Sequence, residues 1–168
     1  MSGRPLNTLF LCTGNSARSI IAECLLARLG GDRYRAFSAG SHPTGRVNPA
    51  ALALLAARGH ETGGLRSKSW DEFAGTGAAE MDIVITVCDS AAGESCPVWP
   101  GRPATAHWGF PDPAAVAGDA AAVEAAFAAA YDAIEAQIRS LVDLPVGNLD
   151  AAALADRLRR LAPSPQTR

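Results

Sequence analysis

Apolar residues fall along this chain in two rhythms. Four runs of strand length, 6–12 (LNTLFLC), 34–40 (YRAFSAG), 82–88 (DIVITVC) and 105–110 (TAHWGF), each end at a turn-forming or potentially reactive residue. The segments between and after them space their apolar residues by three and four. Over 18–29, Ile21, Leu25, Leu26 and Leu29 share one helical face, and the Gly30-Gly31 pair supplies a stop. A second helix is predicted over 49–58, with Asn48 as N-cap, Pro49 at the first helical position and Gly59 behind it. The longest helical pattern, 119–142, carries a stripe of Val123, Phe127, Tyr131, Ile134, Ile138 and Leu141. A short last helix over 150–161 takes Asp150 as its cap, and APSPQTR then reads as a frayed tail.

Strands alternating with helices predict an α/β fold whose parallel sheet is covered on both sides. In such sheets ligands bind beyond the carboxyl ends of the strands. That edge is where the pattern puts Cys12, Cys88 and the loop after Phe110. With no internal repeat and no linker, residues 1–162 are expected to form a single catalytic domain and 163–168 a disordered tail.

Composition narrows the function classes. The 168 residues are 48% hydrophobic and 19% charged with a net charge of −2, so no basic field points to nucleic acid. The opening MSGRPLNTLFLC is too short in its apolar part for a signal peptide, and no stretch is long enough to span a bilayer, so a cytoplasmic protein is expected. A chain of this length does not need disulfide staples, and Cys12, Cys24, Cys88 and Cys96 read as reduced thiols. Cys24, inside the first helix beside Leu25, reads as core.

The chemistry concentrates in CTGNSARS, 12–19. A strand-to-helix loop with inward amides is a nest for an anion, strengthened by the positive end of the helix behind it. Thr13, Gly14, Asn15, Ser16 and Ala17 form the expected oxyanion-binding backbone, and Arg18 supplies a planar fork for two oxygens of a tetrahedral anion. These devices are expected to lower the pKa of Cys12 into the reactive range. Ser19 is placed to hydrogen-bond that sulfur and improve it as a leaving group. A lone cysteine at a strand end is more often a small buried residue; the arginine six positions on and the loop residues between them shift the reading to a nucleophile.

LFLCTGNSARSIIAE, 9–23, resembles the phosphate-binding loop of the low-molecular-weight protein tyrosine phosphatase superfamily, and SAGSHP, 38–43, resembles its second-strand segment. VITVCDSAAGESCP, 84–97, and HWGFPDPA, 107–114, resemble the arsenate reductase branch. The resemblance implies a four-stranded parallel sheet flanked by helices on both faces, with Cys12 attacking phosphorus or arsenic and Arg18 holding the equatorial oxygens. Asp112, between Pro111 and Pro113, falls where the family carries its general acid, although an aspartate between prolines is also an ordinary turn residue.

Two chemistries share that start. A phosphatase needs water to open the covalent intermediate, whereas a reductase needs a second thiol to attack Cys12. The expected relay runs from Cys12 to Cys88 to Cys96, regenerated by thioredoxin or by glutaredoxin with glutathione, with phosphate or sulfate as competing oxyanions. A zinc site with His107 and two unrelated core thiols are the competing readings of Cys88 and Cys96; the seven-residue gap exceeds a zinc knuckle. Ala114 and Ala115 stand where tyrosine phosphatases of the superfamily carry an aromatic wall, which favours a small inorganic oxyanion. No metal or organic cofactor is required. The alternatives are a phosphatase using Cys12, Arg18 and Asp112 alone, and an oxyanion-binding or redox-sensing protein without turnover.

The chain departs from the pattern in three places. Ala17 stands where many members have cysteine, and the Cys88–Cys96 gap is one residue longer than in thioredoxin-coupled members. Some members bind potassium through side chains matching Asn15, Glu23 and Ser38, and the acidic ligand expected there falls near Lys68, whose own charge could replace the ion. His42, His60 and His107 are read as structural or solvated, and the Gly-rich stretches ETGGLRSKS and GTGAAE as connectors.

Overall fold

Leu6–Cys12 forms the first strand, β1, and is buried from Asn7 onward. Its apolar run from Leu9 to Cys12 follows from its place inside a parallel sheet, where both faces are covered. The computed structural model describes residues 4–75, 77–88, 99 and 101–163. After β1 come helix α1 (Arg18–Gly30), strand β2 (Tyr34–Gly40), helix α2 (Pro49–Ala57), strands β3 (Ile83–Thr86) and β4 (Ala104–His107), and helices α3 (Ala120–Val142) and α4 (Ala151–Arg160). The strands are ordered β2-β1-β3-β4 and all neighbours are parallel. Register pairs Cys12 with Gly40 and Leu11 with Thr86, and Thr86 in turn with His107. All four carboxyl ends therefore lie on one edge.

Period-two alternation divides the strand residues between two cores. Phe10, Ile83 and Ile85 pack with Ile20, Ile21 and Leu25 of α1, Ile134 and Ile138 of α3 and Leu158 of α4. Leu9, Leu11 and Val84 face the other way, onto Met81 and Trp99, with Phe37, Trp70 and Phe73 partly buried against them. There the cover includes a 3-10 turn, Trp70–Phe73, whose Trp70 meets Trp99 edge-on at 6.2 Å. Burying each such large side chain contributes about 1.5–3 kcal/mol. On the first face Trp108, 1% exposed, donates from Nε1 to the Leu158 carbonyl at 2.8 Å and so pins the last helix to the sheet.

The local signals place the helix ends well. Asn48 accepts from the Ala50 amide, Asp119 from Ala122 and Asp150 from Ala153, each filling one of the orphan donors of a first turn. The third strand is shorter than 82–88, because its ladder ends at Thr86. The backbone nevertheless continues in register: the Val87 amide donates to Leu11 O at 2.8 Å, and Phe110 donates back to Val87 O at 3.1 Å. Those two bonds carry Cys88 to the end of β1. Cys24 is buried in the first core, as its helical position predicts. Cys96 and the tail beyond Pro163 lie outside the described residues. Among the described residues no helix is long and apolar enough to cross a membrane.

Candidate active site

The loop between β1 and α1 is held from outside by its carbonyls. Thr13 O accepts from the His42 amide at 2.9 Å, Gly14 O from Thr44 at 3.1 Å and from Ser67 Oγ at 3.0 Å, and Ser16 O from Asn48 at 2.9 Å. In a planar trans peptide the N–H points opposite to the carbonyl. Turning these three carbonyls outward thus turns the amides of Gly14, Asn15 and Ala17 inward. Asn15 adopts φ 45°, a left-handed conformation that asparagine tolerates better than most residues. Gly40 permits the close approach: a Cβ there would lie 2.5 Å from Thr13 O and 3.0 Å from the Asn15 amide.

Helix α1 opens on this loop with an unusual cap. Ala17 offers no side-chain acceptor, and the first turn carries no acidic residue. Alanine is a poor N-cap, and here it leaves the helix's first amides to a ligand. The arrangement is an anion nest with the positive end of α1 behind it.

Cys12 stands at the head of the loop, 4% exposed. Its Sγ lies 2.9 Å from Ser19 Oγ, and Ser19 Oγ accepts from Asn15 Nδ2 at 2.8 Å. Since the asparagine donates to that oxygen, the one hydroxyl proton of Ser19 is free to point at the sulfur. Asn15 is itself oriented by the Lys68 amide, which donates to Oδ1 at 2.9 Å. Asn15 and Ser19 are both fully buried.

The expectation of a lowered Cys12 pKa needs correcting. Hydrogen bonding with the neighbouring Cys88 thiol, followed by burial, holds it well above the ordinary cysteine value, and Ser19 opposes both. The Arg18 guanidinium bonds away from the sulfur: Nη1 donates to Phe110 O at 2.9 Å, and Nη2 lies 3.7 Å from Asp112 Oδ2. Two adjacent thiols in a buried pocket favour the neutral form.

Cys88 comes to the same place from β3. The Thr13 amide donates to its Sγ at 3.3 Å, and Thr13 Oγ1 lies 3.7 Å from it. Cys12 and Cys88 are both buried, and neither is in a disulfide. Asp112 combines two geometries, since Oδ1 caps the 3-10 turn Pro113–Ala115 through the Ala114 amide at 2.9 Å while Oδ2 faces Arg18. Ala114 and Ala115 are exposed beside it. Trp108 belongs to the core and not to the site; Phe110 is buried too, and contributes its backbone carbonyl. Thus Cys12, the loop 13–17, Arg18, Ser19, Cys88 and Asp112 gather at one edge, while Cys96 lies outside the described residues.

The histidine rings bond to hydroxyls of other residues. His60 pairs with Tyr131 Oη at 2.7 Å and His107 with Thr86 Oγ1 at 2.7 Å, and His42 meets Ser41 Oγ at 3.1 Å.

A family model described as low molecular weight phosphotyrosine protein phosphatase matches residues 7–155. The chain belongs to that family. Among its relatives the arsenate reductase of Halalkalibacterium halodurans is 34% identical over 134 residues, 80% of this chain and 93% of the relative. An arsenate reductase structure from Archaeoglobus fulgidus superposes with a TM-score of 0.64 at 28% identity, covering 82% of this chain and 99% of that one. The thioredoxin-dependent arsenate reductase of Corynebacterium glutamicum gives 0.60 at 25% identity over 84% of this chain; the match spans 62% of that longer protein. The family's loop is the segment that the sequence marks most clearly. What the sequence did not mark is the brace around it: Gly40, Ser67 and the backbone of Lys68, a residue that the sequence singles out for its charge alone.

The residues that the resemblance nominates for a potassium site, Asn15, Glu23 and Ser38, also fall together, with a lysine among them. Lys68 Nζ lies 3.4 Å from Ser38 Oγ and 3.8 Å from Glu23 Oε1, and donates to Arg66 O at 3.0 Å. Ser38 Oγ also donates to Glu23 Oε1, and Asn15 Oδ1 is taken by the Lys68 amide. The donor set is committed to an ammonium, and a potassium ion does not fit it.

Proposed function

We propose that this protein reduces arsenate to arsenite. The observation that carries the reading is the second thiol: Cys88, hydrogen-bonded by the Thr13 amide, stands beside the nucleophile of the oxyanion loop. Hydrolysis of a phosphoenzyme has no use for it. The named activity of the H. halodurans and A. fulgidus relatives agrees with this reading.

Arsenate enters the nest as a dianion, and Arg18 turns from Phe110 O to grip two of its oxygens. The Arg18 charge and the hydrogen bonds of the loop favour the Cys12 thiolate, which Ser19 stabilises. Cys12 sulfur attacks arsenic(V), and the departing oxygen takes a proton from Asp112 and leaves as water. Cys88, as thiolate, attacks Cys12 sulfur. The S–As electron pair passes to arsenic, reducing it to arsenic(III), and arsenite leaves while a Cys12–Cys88 disulfide forms. Cys96 then attacks Cys88 to give a Cys88–Cys96 disulfide and release Cys12 as a thiol. An external dithiol supplies two electrons to close the cycle. We take this to be thioredoxin, on the analogy of the C. glutamicum protein, with glutaredoxin and glutathione as the other supply. The exposed Ala114 and Ala115 suit a small oxyanion, since they leave no aromatic wall for a phenol ring.

Incubating the reduced protein with arsenate and no reductant tests the proposal. The expected product is a loss of two hydrogens in the intact mass, mapped to Cys88–Cys96, with one arsenite released per chain. Cys88→Ser is expected to stop turnover. Arsenate reduction that survives in Cys88→Ser would refute the relay, and an unchanged mass together with phosphomonoester hydrolysis would establish the phosphatase instead.

A further inference from the structure

Behind the oxyanion loop, on the side away from Asp112, lies a cluster of charged groups that the chemistry above does not use. Glu23 on α1, Ser38 on β2 and Lys68 in the connector 61–69 meet there, and the side chain of Lys68 is 9% exposed. We propose that the Lys68 ammonium is a fixed internal cation that positions the Asn15–Ser19–Cys12 chain and makes the protein independent of any bound monovalent ion. The proposal rests on Cys12 being the nucleophile.

The geometry makes Lys68 a positioning residue twice over. Its ammonium ties Glu23 and Ser38 together, and so joins the second turn of α1 to β2. Its backbone amide donates to Asn15 Oδ1, and its carbonyl accepts from the Gly40 amide at 2.9 Å. Gly40 pairs with Cys12 across β1 and β2, so the lysine grips both sides of the nucleophile. Burial costs both charged groups: it raises the Glu23 carboxyl and lowers the Lys68 ammonium in pKa, while each supports the charge of the other. Removing one partner leaves a buried charge uncompensated, which is costly, whereas removing both is often tolerated. The carboxylate stays reachable from solvent, because a cavity of about 470 Å³ lined by Glu23, Cys24, Arg28, His60, Glu61 and Leu65 opens onto it.

Alkylation of Cys12 by iodoacetamide, followed by peptide mass, reads the position of the thiol without arsenate or reductant. The assay therefore remains informative if the reductase reading fails. For the wild-type protein, exchanging sodium for potassium at constant ionic strength is expected to change this rate, and the thermal midpoint, by less than the scatter of replicates. A potassium-dependent rise of threefold or more in rate would overturn the proposal. In Lys68→Ala the rate is expected to fall about tenfold and to be restored by ammonium or methylammonium but not by tetramethylammonium, which carries the charge but has no N–H to donate to Ser38 Oγ and Arg66 O. Lys68→Met, which keeps most of the volume, is expected to lose rate while keeping its fold by circular dichroism, and Glu23→Gln in that background to recover it. A stable Lys68→Met protein with wild-type alkylation overturns the positioning role, as does a Lys68→Ala protein that tetramethylammonium rescues equally well.

Discussion

Ser19→Ala removes one oxygen and should be felt in two places. In the folded protein that oxygen accepts from Asn15 Nδ2 at 2.8 Å and lies 2.9 Å from Cys12 Sγ, at a residue with no exposure. A hydrogen bond to a charged group contributes about 1.5–3 kcal/mol. At about 1.4 kcal/mol for each factor of ten, its loss lowers the thiolate population roughly 10- to 150-fold at pH 7. The second effect is on stability: Asn15 Nδ2 is left buried without its acceptor, at a cost of about 1–3 kcal/mol. Iodoacetamide labelling of Cys12, resolved by peptide mass and followed from pH 6 to 11, measures the first effect, and urea unfolding the second. The rate deficit should shrink as pH rises, because alkali supplies the thiolate that the serine otherwise favours. Asn15→Ala should act through the same oxygen, so the double variant should lose much less than the sum of the single losses. Equal labelling of wild-type and Ser19→Ala proteins at pH 7, or losses that add, would show that the hydroxyl does not support the thiolate.

Other consequences are as direct. Cys88→Ala takes away the first cause of the raised Cys12 pKa, so labelling of Cys12 at pH 7 should quicken even as arsenate turnover is lost. Gly40→Ala places a methyl group 2.5 Å from Thr13 O, and should cost about 1–3 kcal/mol in urea unfolding as well as oxyanion affinity by titration calorimetry. Burial raises Cys24 and Tyr34 each to about 12. A pKa raised on folding stabilises fully below the unfolded value and loses that contribution as pH climbs to the folded one. Stability should therefore fall between about pH 9 and 12, and Cys24→Ala should show a shallower fall in a pH series of urea midpoints. Trp108→Phe removes the indole donor to Leu158 O and should destabilise the protein by about 1–3 kcal/mol while leaving the KM for arsenate unchanged.

How much of this was legible in the sequence depends on whether the cause is local. Asn48, Asp119 and Asp150 cap helices through their own neighbours, and the apolar run of β1 announces a strand buried on both faces. The loop 13–17 is legible in outline, since a strand-to-helix turn that closes on Arg18 announces a nest, whereas the bonds that turn its amides inward come from His42, Thr44, Asn48 and Ser67. The state of Cys12 was not legible, because its strongest influence comes from Cys88, a neighbour only after β3 aligns beside β1. Nor does the commitment of Arg18 to Phe110 O have any signature in CTGNSARS. Ser67 and Lys68 sit in a segment with no apolar period, so nothing near them in sequence reveals that they hold up the loop.

The alanine at position 17 has a thermodynamic consequence of its own. Helix α1 begins there without a side-chain cap, so an oxyanion seated in the loop supplies what the sequence leaves out and completes the helix. Substrate recognition and folding then draw on the same amides. Any tetrahedral anion that fits raises the unfolding free energy by RT ln(1 + [L]/Kd), about 2.7 kcal/mol at a hundred times Kd. On the proposed function, phosphate is both competitor and stabiliser: raising it slows capture of arsenate by this loop while protecting the fold that performs the capture.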